Sequence, residues 1–294
     1  MMQPFIIDEK LVCRLITSQF PHYSNLPVKP VAVGGWDNRT FHLGKDMLVR
    51  LPSAEQYELQ VEKEQQWLPQ LASLLPVPIP TPLAKGMPGE GYPWKWSIYR
   101  WLEGETIVSA NLSNLNEIAK DLATFLTAFH QIDSSGGPKP GMHSFYRGGD
   151  LKIYDPETRQ AIDYLKGKID TDHATEIWET ALNTSWQGTP VWVHGDISAG
   201  NLLVKNGKLC AVIDFGQLSV GDPACDLAIT WTLFAGDSRK IFREMLALDK
   251  GTWFRGQAWA LWKALIVAAG IVNTNAMEVQ KSCHIINELF LTEL

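Results

Sequence analysis

The sequence predicts an α+β fold in which a small β-rich N-terminal part meets a larger helical C-terminal part near residue 102. Before that point, short apolar runs are separated by turns that contain Gly, Asp and Pro, which is typical of antiparallel strands. After it, apolar residues recur mainly at the spacing of a helix face. We therefore expect two lobes, residues 1–101 and residues 102–294.

The N-terminal lobe is predicted to begin with a helix that Asp8 can cap, because Leu11 and Leu15 follow at helical spacing. A hairpin is expected next, since the runs Thr40–Leu43 and Met47–Leu51 flank a tight turn. The other elements expected in this lobe are the strands Val31–Val33 and Trp94–Leu102, the helix Glu55–Leu75 and the loop Pro82–Gly91.

The C-terminal lobe is expected to be mainly helical. Two strand-like runs, at 191–193 and 201–214, interrupt the helical pattern. The predicted helices are Leu115–His130, Pro156–Lys166, His173–Leu182 and a helical tail over Trp253–Leu294.

Composition limits the classes of function. The net charge is −6 and no long basic run is present, so we expect no nucleic-acid partner. The four cysteines form no CxxC pair, which argues against a zinc site and fits a reducing compartment. The most apolar tract, Leu261–Val272, is too short to span a bilayer and is interrupted by Lys263. With no recognisable signal peptide, the sequence favours a soluble cytoplasmic protein without a membrane partner.

A polar loop that begins with His194-Gly195-Asp196 follows the first strand-like run. Asn201 comes five residues after Asp196, and Asp214 ends the second run. The dipeptide Asn206-Gly207 tolerates the positive φ of a type I′ turn, so the second run should fold as a hairpin. That hairpin would bring Asp214 back towards Asn201.

Phosphoryl transfer to a hydroxyl requires this set of groups, because its loose transition state is stabilised mainly by positioning and by neutralisation of charge. Mg²⁺ prefers hard oxygen ligands, which Asp214 and Asn201 can supply together with phosphate oxygens. Asp196 is then free to orient the acceptor hydroxyl and to take its proton. His194 is expected to brace the loop. The alternative, that these residues only form turns, does not account for Asp214 at the end of an apolar strand.

The order His194-Gly195-Asp196, Asn201 and Ile213-Asp214-Phe215-Gly216 resembles the aminoglycoside phosphotransferase family, small-molecule kinases that share the protein-kinase fold. The likeness continues through residues 221–228 and, upstream, through Glu64 and the run 99–104. It implies a bilobal protein-kinase-like form of the α+β fold. It also implies that ATP or GTP binds with Mg²⁺, with Asp196 as catalytic base and Asn201 and Asp214 as metal ligands.

The same resemblance implies that the N-terminal lobe holds the nucleotide. The loop 34–38, which includes Gly35 and Asn38, would cover the phosphates, although a plain hairpin turn is the alternative. Arg50 stands where the family carries a lysine, with Glu64 as its partner on the next helix. Lys45 is the alternative phosphate contact, and a solvated carboxylate is the alternative for Glu64.

The hinge between the lobes provides the remaining nucleotide contacts in this family. Its backbone would meet the purine edge, and Ile213 would lie against the purine face. The matching hinge residues are Tyr99, Arg100, Trp101 and Leu102.

The acceptor is expected to be a small hydroxyl compound, aminoglycoside-like or another metabolite, and to bind in the helical lobe. Related acceptors are macrolides, choline and homoserine, and Asn201 disfavours the macrolide branch. Asp222 and Asp226 are expected to be structural, as helix caps or acceptors of buried hydrogen bonds. Other candidates for the acceptor pocket are Asp150, Tyr154, Asp155, Trp178, Trp192, Trp231, Trp253 and Trp259.

Two other classes of function fit the sequence less well. A protein kinase would need an Ala-Pro-Glu segment after a long activation loop, and this sequence has none. A nucleotide-binding module without transfer activity would have lost Asp196, Asn201 or Asp214, all of which are present. The substitution of arginine at position 50 is the one feature that favours such a module. The sequence predicts no oligomeric state.

Overall fold

A computed structural model describes residues 6–31, 35, 37–110, 112–272 and 274–292. The strands are β1 Val28–Pro30, β2 Asn38–Leu43, β3 Met47–Pro52, β4 Pro82–Gly86, β5 Trp96–Arg100, β6 Glu105–Thr106, β7 Val191–Val193, β8 Leu202–Lys205, β9 Lys208–Val212 and β10 Ser219–Gly221. The helices are α1 Glu9–Gln19, α2 Glu58–Ala72, α3 Ile107–Ala110, α4 Asn116–Gln131, α5 Asp155–Tyr164, α6 Thr171–Leu182, α7 Ile229–Thr232, α8 Gly236–Met245, α9 Lys250–Ala268 and α10 Ala276–Phe290. Among the described helices, none is both long and apolar enough to cross a membrane.

The N-terminal part is an antiparallel sheet in the order β1-β2-β3-β5-β4, with α1 packed on it. Asp8 caps α1 as predicted, because its carboxylate accepts the N–H of Leu11 at 2.8 Å. The apolar face of α1 joins Val49 and Ile98 of the sheet in one buried cluster. The predicted hairpin is present as β2 and β3.

The prediction of a loop over Pro82–Gly91 is wrong for its first half, which forms the edge strand β4. An edge position tolerates Pro82, because a proline can begin a strand that needs few backbone donors. Gly86 is required by packing, since a Cβ atom there would lie 2.0 Å from the indole of Trp96. The first strand lies at Val28–Pro30, earlier than predicted, and residues 32 and 33 of the predicted strand lie outside the described residues.

Helix α2 links this sheet to the rest of the molecule. It contacts β4 and β5, and its Leu68 and Leu71 belong to the main buried cluster of the C-terminal part. The helix ends at Ala72, a few residues before the Pro-rich run, although its sequence contains Pro69. One face of α2 can therefore present side chains to the cleft between the sheet and the helical part.

The C-terminal part has one large core, to which α4 and α9 contribute many apolar residues. Two small sheets cover this core, one of β7 and β10 and the other of β6, β8 and β9. Trp178 and Trp192 are fully buried in it, so they are core residues rather than pocket lining. The chain therefore delivers the loops after β7 and β9 from a packed and rigid base.

Strand β10 is held against the preceding segment by a close backbone approach. Gly221 pairs with Val191 of β7, and a Cβ atom at Gly221 would lie 2.1 Å from the carbonyl oxygen of Gly148. The N–H of Asp222 donates to that same carbonyl at 2.8 Å. Only glycine fits at position 221 without moving one of these two backbones.

We expect Gly221→Ala to lower the free energy of unfolding by about 3 kcal/mol, because the clash is with backbone rather than with a flexible side chain. Urea unfolding monitored by circular dichroism measures this loss. Gly141→Ala is the matched control, since the nearest atom to a Cβ there lies 3.6 Å away. Equal midpoints for the two variants would contradict the close approach.

Candidate active site

The loop after β7 is fixed by a buried carboxylate. Asp226, which is fully buried, accepts the N–H of His194 and the N–H of Gly195, each at 2.7 Å. Gly195 has a φ of +84°, and a Cβ atom there would lie 2.7 Å from the carbonyl oxygen of Gln217. Asp226 thus accepts buried hydrogen bonds, as expected from the sequence. These bonds fix the backbone of the two residues that precede Asp196. Asp222 caps the 3₁₀ helix that contains Asp226.

His194 ties the same loop to the strand end that leads to Asp214. Its Nε2 lies 3.0 Å from the carbonyl oxygen of Ile213, and its Nδ1 accepts the N–H of Asp196 at 3.2 Å. Burial lowers the pKa of His194 to about 4, so the ring is neutral at pH 7. A neutral ring with its proton on Nε2 satisfies both bonds.

The β8–β9 hairpin brings Asn201 and Asp214 together. Asn206 and Gly207 at its turn have φ values of +54° and +74°, as the predicted type I′ turn requires. At the open end, the N–H of Ile213 donates to the carbonyl oxygen of Asn201 at 2.9 Å. Asp214 follows directly, in the left-handed region with φ +66°. Backbone geometry therefore holds these two residues as neighbours.

Asn201 also contacts Asp196. Its Nδ2 donates to the backbone oxygen of Asp196 at 2.9 Å and to the carboxylate oxygen Oδ2 at 3.0 Å. No described residue donates a hydrogen bond to the Oδ1 of Asn201, so this oxygen remains available to a ligand. The side-chain nitrogen of Asn201 thus orients Asp196, while its side-chain oxygen can bind a ligand.

Arg50 reaches Asp214 from the opposite side of the cleft. Its Nη2 lies 2.6 Å from Oδ1 of Asp214, and its Nη1 lies 3.4 Å from Oε1 of Glu64. Burial alone would raise the pKa of Asp214. The positive charge and hydrogen bond of Arg50 outweigh burial, so the pKa of Asp214 lies below its usual value. Lys45, the alternative to Arg50, is exposed in the hairpin turn.

The four hinge residues differ in their contacts and in their burial. The buried hydroxyl of Tyr99 donates to Oε2 of Glu64, so this side chain belongs to the Arg50–Glu64 cluster. The N–H groups of Arg100 and Trp101 already donate to Thr81 and Asp46, at 3.0 and 2.8 Å. Half-buried positions are Trp101 and Leu102 in the hinge and Ile213 at the end of the hairpin.

The candidate phosphate loop is described only in part, because residues 34 and 36 lie outside the described residues. Gly35 is exposed, with no atom within 4 Å of a Cβ placed there, and its carbonyl oxygen accepts from Arg39 at 3.2 Å. Asn38 is buried at the start of β2. A phosphate role for this loop therefore stays a prediction.

Two cations near Asp196 were given no role from the sequence. Burial raises the pKa of Asp196 to about 6, with a further increase from Asp214, while Arg147 and Lys263 act to lower it. Arg147 packs against Gly195, since a Cβ atom at Gly195 would lie 2.9 Å from Cβ of Arg147. The sequence places Lys263 within an apolar tract, and no spacing links it to Asp196.

Lys63 was also missed, although it connects α2 with the segment after Asp214. Its side chain is 7% exposed, and its Nζ lies 2.8 Å from the carbonyl oxygen of Gly216. The same Nζ lies 3.0 Å from both the carbonyl oxygen and Nδ1 of His143. Burial lowers the pKa of Lys63 to about 7. The amino group of Lys63 thus has three buried acceptors. The sequence pattern of α2 gives no sign that this lysine is buried.

We expect Lys63→Met to lower the free energy of unfolding by about 3 kcal/mol, because three buried acceptors lose their donor. Glu62→Gln is the matched control on the same helix, since its ion pairs with Lys85 and Lys95 are solvent-exposed and should contribute less than about 1 kcal/mol. Denaturant unfolding of both variants makes the comparison. A smaller loss for Lys63→Met than for Glu62→Gln would refute the internal role of Lys63.

Comparisons with known proteins bear on the family and the fold of this chain. A family model described as a phosphotransferase enzyme family matches residues 28–265. The protein YcbJ of Bacillus subtilis is 24% identical over 164 residues, and an aminoglycoside 3'-phosphotransferase of Escherichia coli is 37% identical over 59 residues. These alignments cover 52% and 20% of this chain, and 48% and 22% of the two relatives. The chain thus spans less than half the length of the curated relatives it matches.

Similar solved structures cover almost the whole chain. A GDP complex of an aminoglycoside 2'-phosphotransferase-IIIa mutant has a TM-score of 0.74 at 19% identity, over 96% of this chain and 97% of that chain. Macrolide 2'-phosphotransferase type I has a TM-score of 0.62 at 18% identity, over 95% and 97% of the two chains. These likenesses confirm the predicted bilobal protein-kinase-like α+β fold. Since the family model matches most of the sequence, the chain belongs to the phosphotransferase enzyme family.

Proposed function

We propose that this protein is an Mg²⁺-dependent kinase that transfers the γ-phosphate of ATP or GTP to a hydroxyl of a small molecule. One observation carries the proposal: Asp196, Asn201 and Asp214 lie together, and Arg50 of β3 forms an ion pair with Asp214. Family membership supports the reaction class. Relatives solved with GDP, or with ATP and streptomycin, support a nucleotide and a hydroxylated acceptor.

Asp196 acts as the general base in this proposal. Its Oδ2 is held by the amide of Asn201 at 3.0 Å, so the carboxylate has a fixed orientation towards an incoming hydroxyl. Burial and Asp214 raise its pKa to about 6, which increases its affinity for the proton that the hydroxyl loses. Asp196 would bind the hydroxyl, align its oxygen with the γ-phosphate and accept its proton.

Asp214 and Asn201 would hold the Mg²⁺ ion. The carboxylate of Asp214 and the Oδ1 of Asn201 are hard oxygen donors of the kind that Mg²⁺ prefers. Within the described ranges, no group of three or more His, Cys, Asp or Glu side chains is arranged to hold a metal ion. A site with two protein oxygens therefore fits an ion whose other ligands are phosphate oxygens and water. When bound, Mg²⁺ would neutralise charge on the transferred phosphoryl group.

The N-terminal lobe would bind the nucleotide through Arg50, with Glu64 holding the guanidinium. Arginine keeps its charge and can grip phosphate oxygens through a planar fork, which suits the position of the family lysine. Because the N–H groups of Arg100 and Trp101 are engaged within the sheet, the purine edge would use Leu102 and the hinge carbonyls. Gly35, Asn38 and Ile213 complete the proposed nucleotide site.

A small acceptor agrees better with the segment after Asp214 than a protein substrate does. This segment forms a 3₁₀ turn at Phe215–Gln217, then β10, then a second 3₁₀ helix at Pro223–Ala228. Each element follows the previous one almost directly, and most of their residues are buried. No long exposed activation segment is left to bind a peptide.

Asp196→Asn should reduce turnover of an identified acceptor by about 10²–10⁴-fold, because an amide of the same shape cannot accept the proton. Nucleotide affinity should stay within a few-fold, since the base contributes to the transition state. Coupled ADP release and fluorescence titration measure the two quantities. The control is Asp172→Asn, at an exposed position in α6. Wild-type turnover in Asp196→Asn would remove Asp196 from the reaction.

Asp214→Asn should abolish the effect of Mg²⁺ on nucleotide binding, because the variant loses the anionic ligand. We expect its ATP titrations with Mg²⁺ and with EDTA to coincide, whereas those of the wild type should differ. Asp237→Asn, in the first turn of α8, controls for a general loss of negative charge. A wild-type response to Mg²⁺ in Asp214→Asn would assign the metal to other residues.

A further inference from the structure

A guanidinium without an ion-pair partner lies next to the proposed base. Arg147 stacks on two indoles, with its Cζ 4.8 Å from the ring centre of Trp259 and 4.7 Å from that of Trp262. Its Nε donates to Oε1 of Gln217 at 3.0 Å. Neither Nη atom forms a hydrogen bond or ion pair with any residue between 6 and 292 that the structure describes. The outer edge of the fork is therefore free to bind a ligand.

A second cation faces the same region from α9. The Nζ of Lys263 lies 5.9 Å from the ring centre of Trp262, the indole that Arg147 also covers. In the described part of the chain, Lys263 makes no ion pair and no hydrogen bond. As a whole residue Lys263 is exposed. Partial burial of its ammonium group lowers the pKa of Lys263, and Arg147 lowers it further.

Nearby carboxylates do not neutralise the two cations. Glu157 accepts the indole N–H of Trp262 at 2.8 Å, and Asp37 accepts from Gln60 at 3.3 Å. Neither forms an ion pair with Arg147 or Lys263 among the described residues. Arg147 and Lys263 both act to lower the pKa of Asp196, but this carboxylate is assigned to the proton transfer in the proposed function. Two like charges near each other, each without an ion pair, are stabilised when an anion binds between them.

Resting on the proposed function, we propose that the acceptor is a hydroxyl compound with a carboxylate or phosphate group, which Arg147 and Lys263 bind beside Asp196. The planar fork of arginine and the point charge of lysine both suit such anions. The aromatic platform of Trp259, Trp262 and Tyr154 fixes the guanidinium in place, since Tyr154 packs 4.1 Å from Trp262 between ring centres. A polycationic aminoglycoside would instead meet two positive charges at the reacting hydroxyl.

The test compares acceptors that share a carbon skeleton and carry different charged groups. Glucose, glucosamine, glucuronate and glucose 6-phosphate form one matched set, and glycerol, glycerate and glycerol 3-phosphate form another, with kanamycin as a polycation. Calorimetry measures binding in the presence of Mg²⁺ and a non-hydrolysable ATP analogue, and ADP release measures transfer. We expect binding to be confined to anionic members. Comparison of the carboxylate members with the phosphate members shows which of the two anionic groups the site binds.

Lys263→Met should weaken binding of the anionic acceptor by about tenfold or more, because one charge-assisted contact is lost. Its side chain makes no bonds in the described structure, so folding is not at risk. Lys263→Arg should restore most of the affinity. Lys250→Met is the matched control, since Lys250 lies on the same helix with its Nζ 5.3 Å from the ring centre of Phe254. Arg147→Lys should also weaken binding while it keeps the charge.

The outcomes separate this inference from the proposed function. Binding of anionic members that Lys263→Met weakens, but with no ADP release, supports the anion site and contradicts the kinase. Transfer to glucosamine or kanamycin with unchanged KM in Lys263→Met supports the kinase and overturns the anion site. The anion site is overturned if none of the anionic acceptors binds. It is also overturned if Lys263→Met changes the affinity for Mg²⁺–nucleotide but not the affinity for the acceptor.

Discussion

The buried carboxylate of Asp226 is the constraint on which the rest of the site depends. Each of its oxygens accepts one backbone N–H, from His194 and Gly195, at 2.7 Å. Burial raises the pKa of Asp226 to about 7, although the two N–H groups oppose this rise. Two short bonds to one carboxylate define the position and the direction of the chain that enters Asp196. The loop thus takes its position from Asp226 and its shape from the positive φ of its own Gly195.

A second set of contacts relates the two lobes across the cleft. Arg50 of β3 reaches Asp214, and Lys63 of α2 reaches the carbonyl oxygen of Gly216 two residues later. Both cations come from the N-terminal lobe, and both hold the segment that follows the β8–β9 hairpin. The position of Asp214 is therefore determined from two sides: by the hairpin register behind it and by these side chains in front of it.

The sequence predicts that the three residues of the proposed reacting centre lie together, because the segment that carries them is local. Asp196, Asn201 and Asp214 are joined by one loop and one hairpin, whose turn residues prescribe the register. Lys63 and Arg147 were out of reach for the opposite reason. Lys63 meets a residue 153 positions away, and only the packing of α2 on the C-terminal part brings them together. No periodicity within α2 distinguishes such a lysine from one that faces solvent.

The same contrast explains the prediction of the sheet. The β2–β3 hairpin followed from its turn, whereas β4 depends on a distant partner. Its Gly86 resembles a loop residue in the sequence but accommodates the indole of Trp96 on β5. Proline and glycine at an edge are read correctly only when the neighbouring strand is known. Local sequence thus predicts turns, and the proximity of polar residues around them, better than it predicts the edge strands of a sheet.

The three bonds of Lys63 have a consequence for regulation. Many kinases with this kind of fold are switched by moving the helix that carries the glutamate partner of the nucleotide-binding cation. Under the proposed function that helix is α2, and the Nζ of Lys63, next to Glu64, anchors it to Gly216 and His143. The entropy of ordering α2 against the C-terminal part is then lost during folding and not again at each encounter with nucleotide. A kinase built in this way would need no movement of α2 before it binds nucleotide.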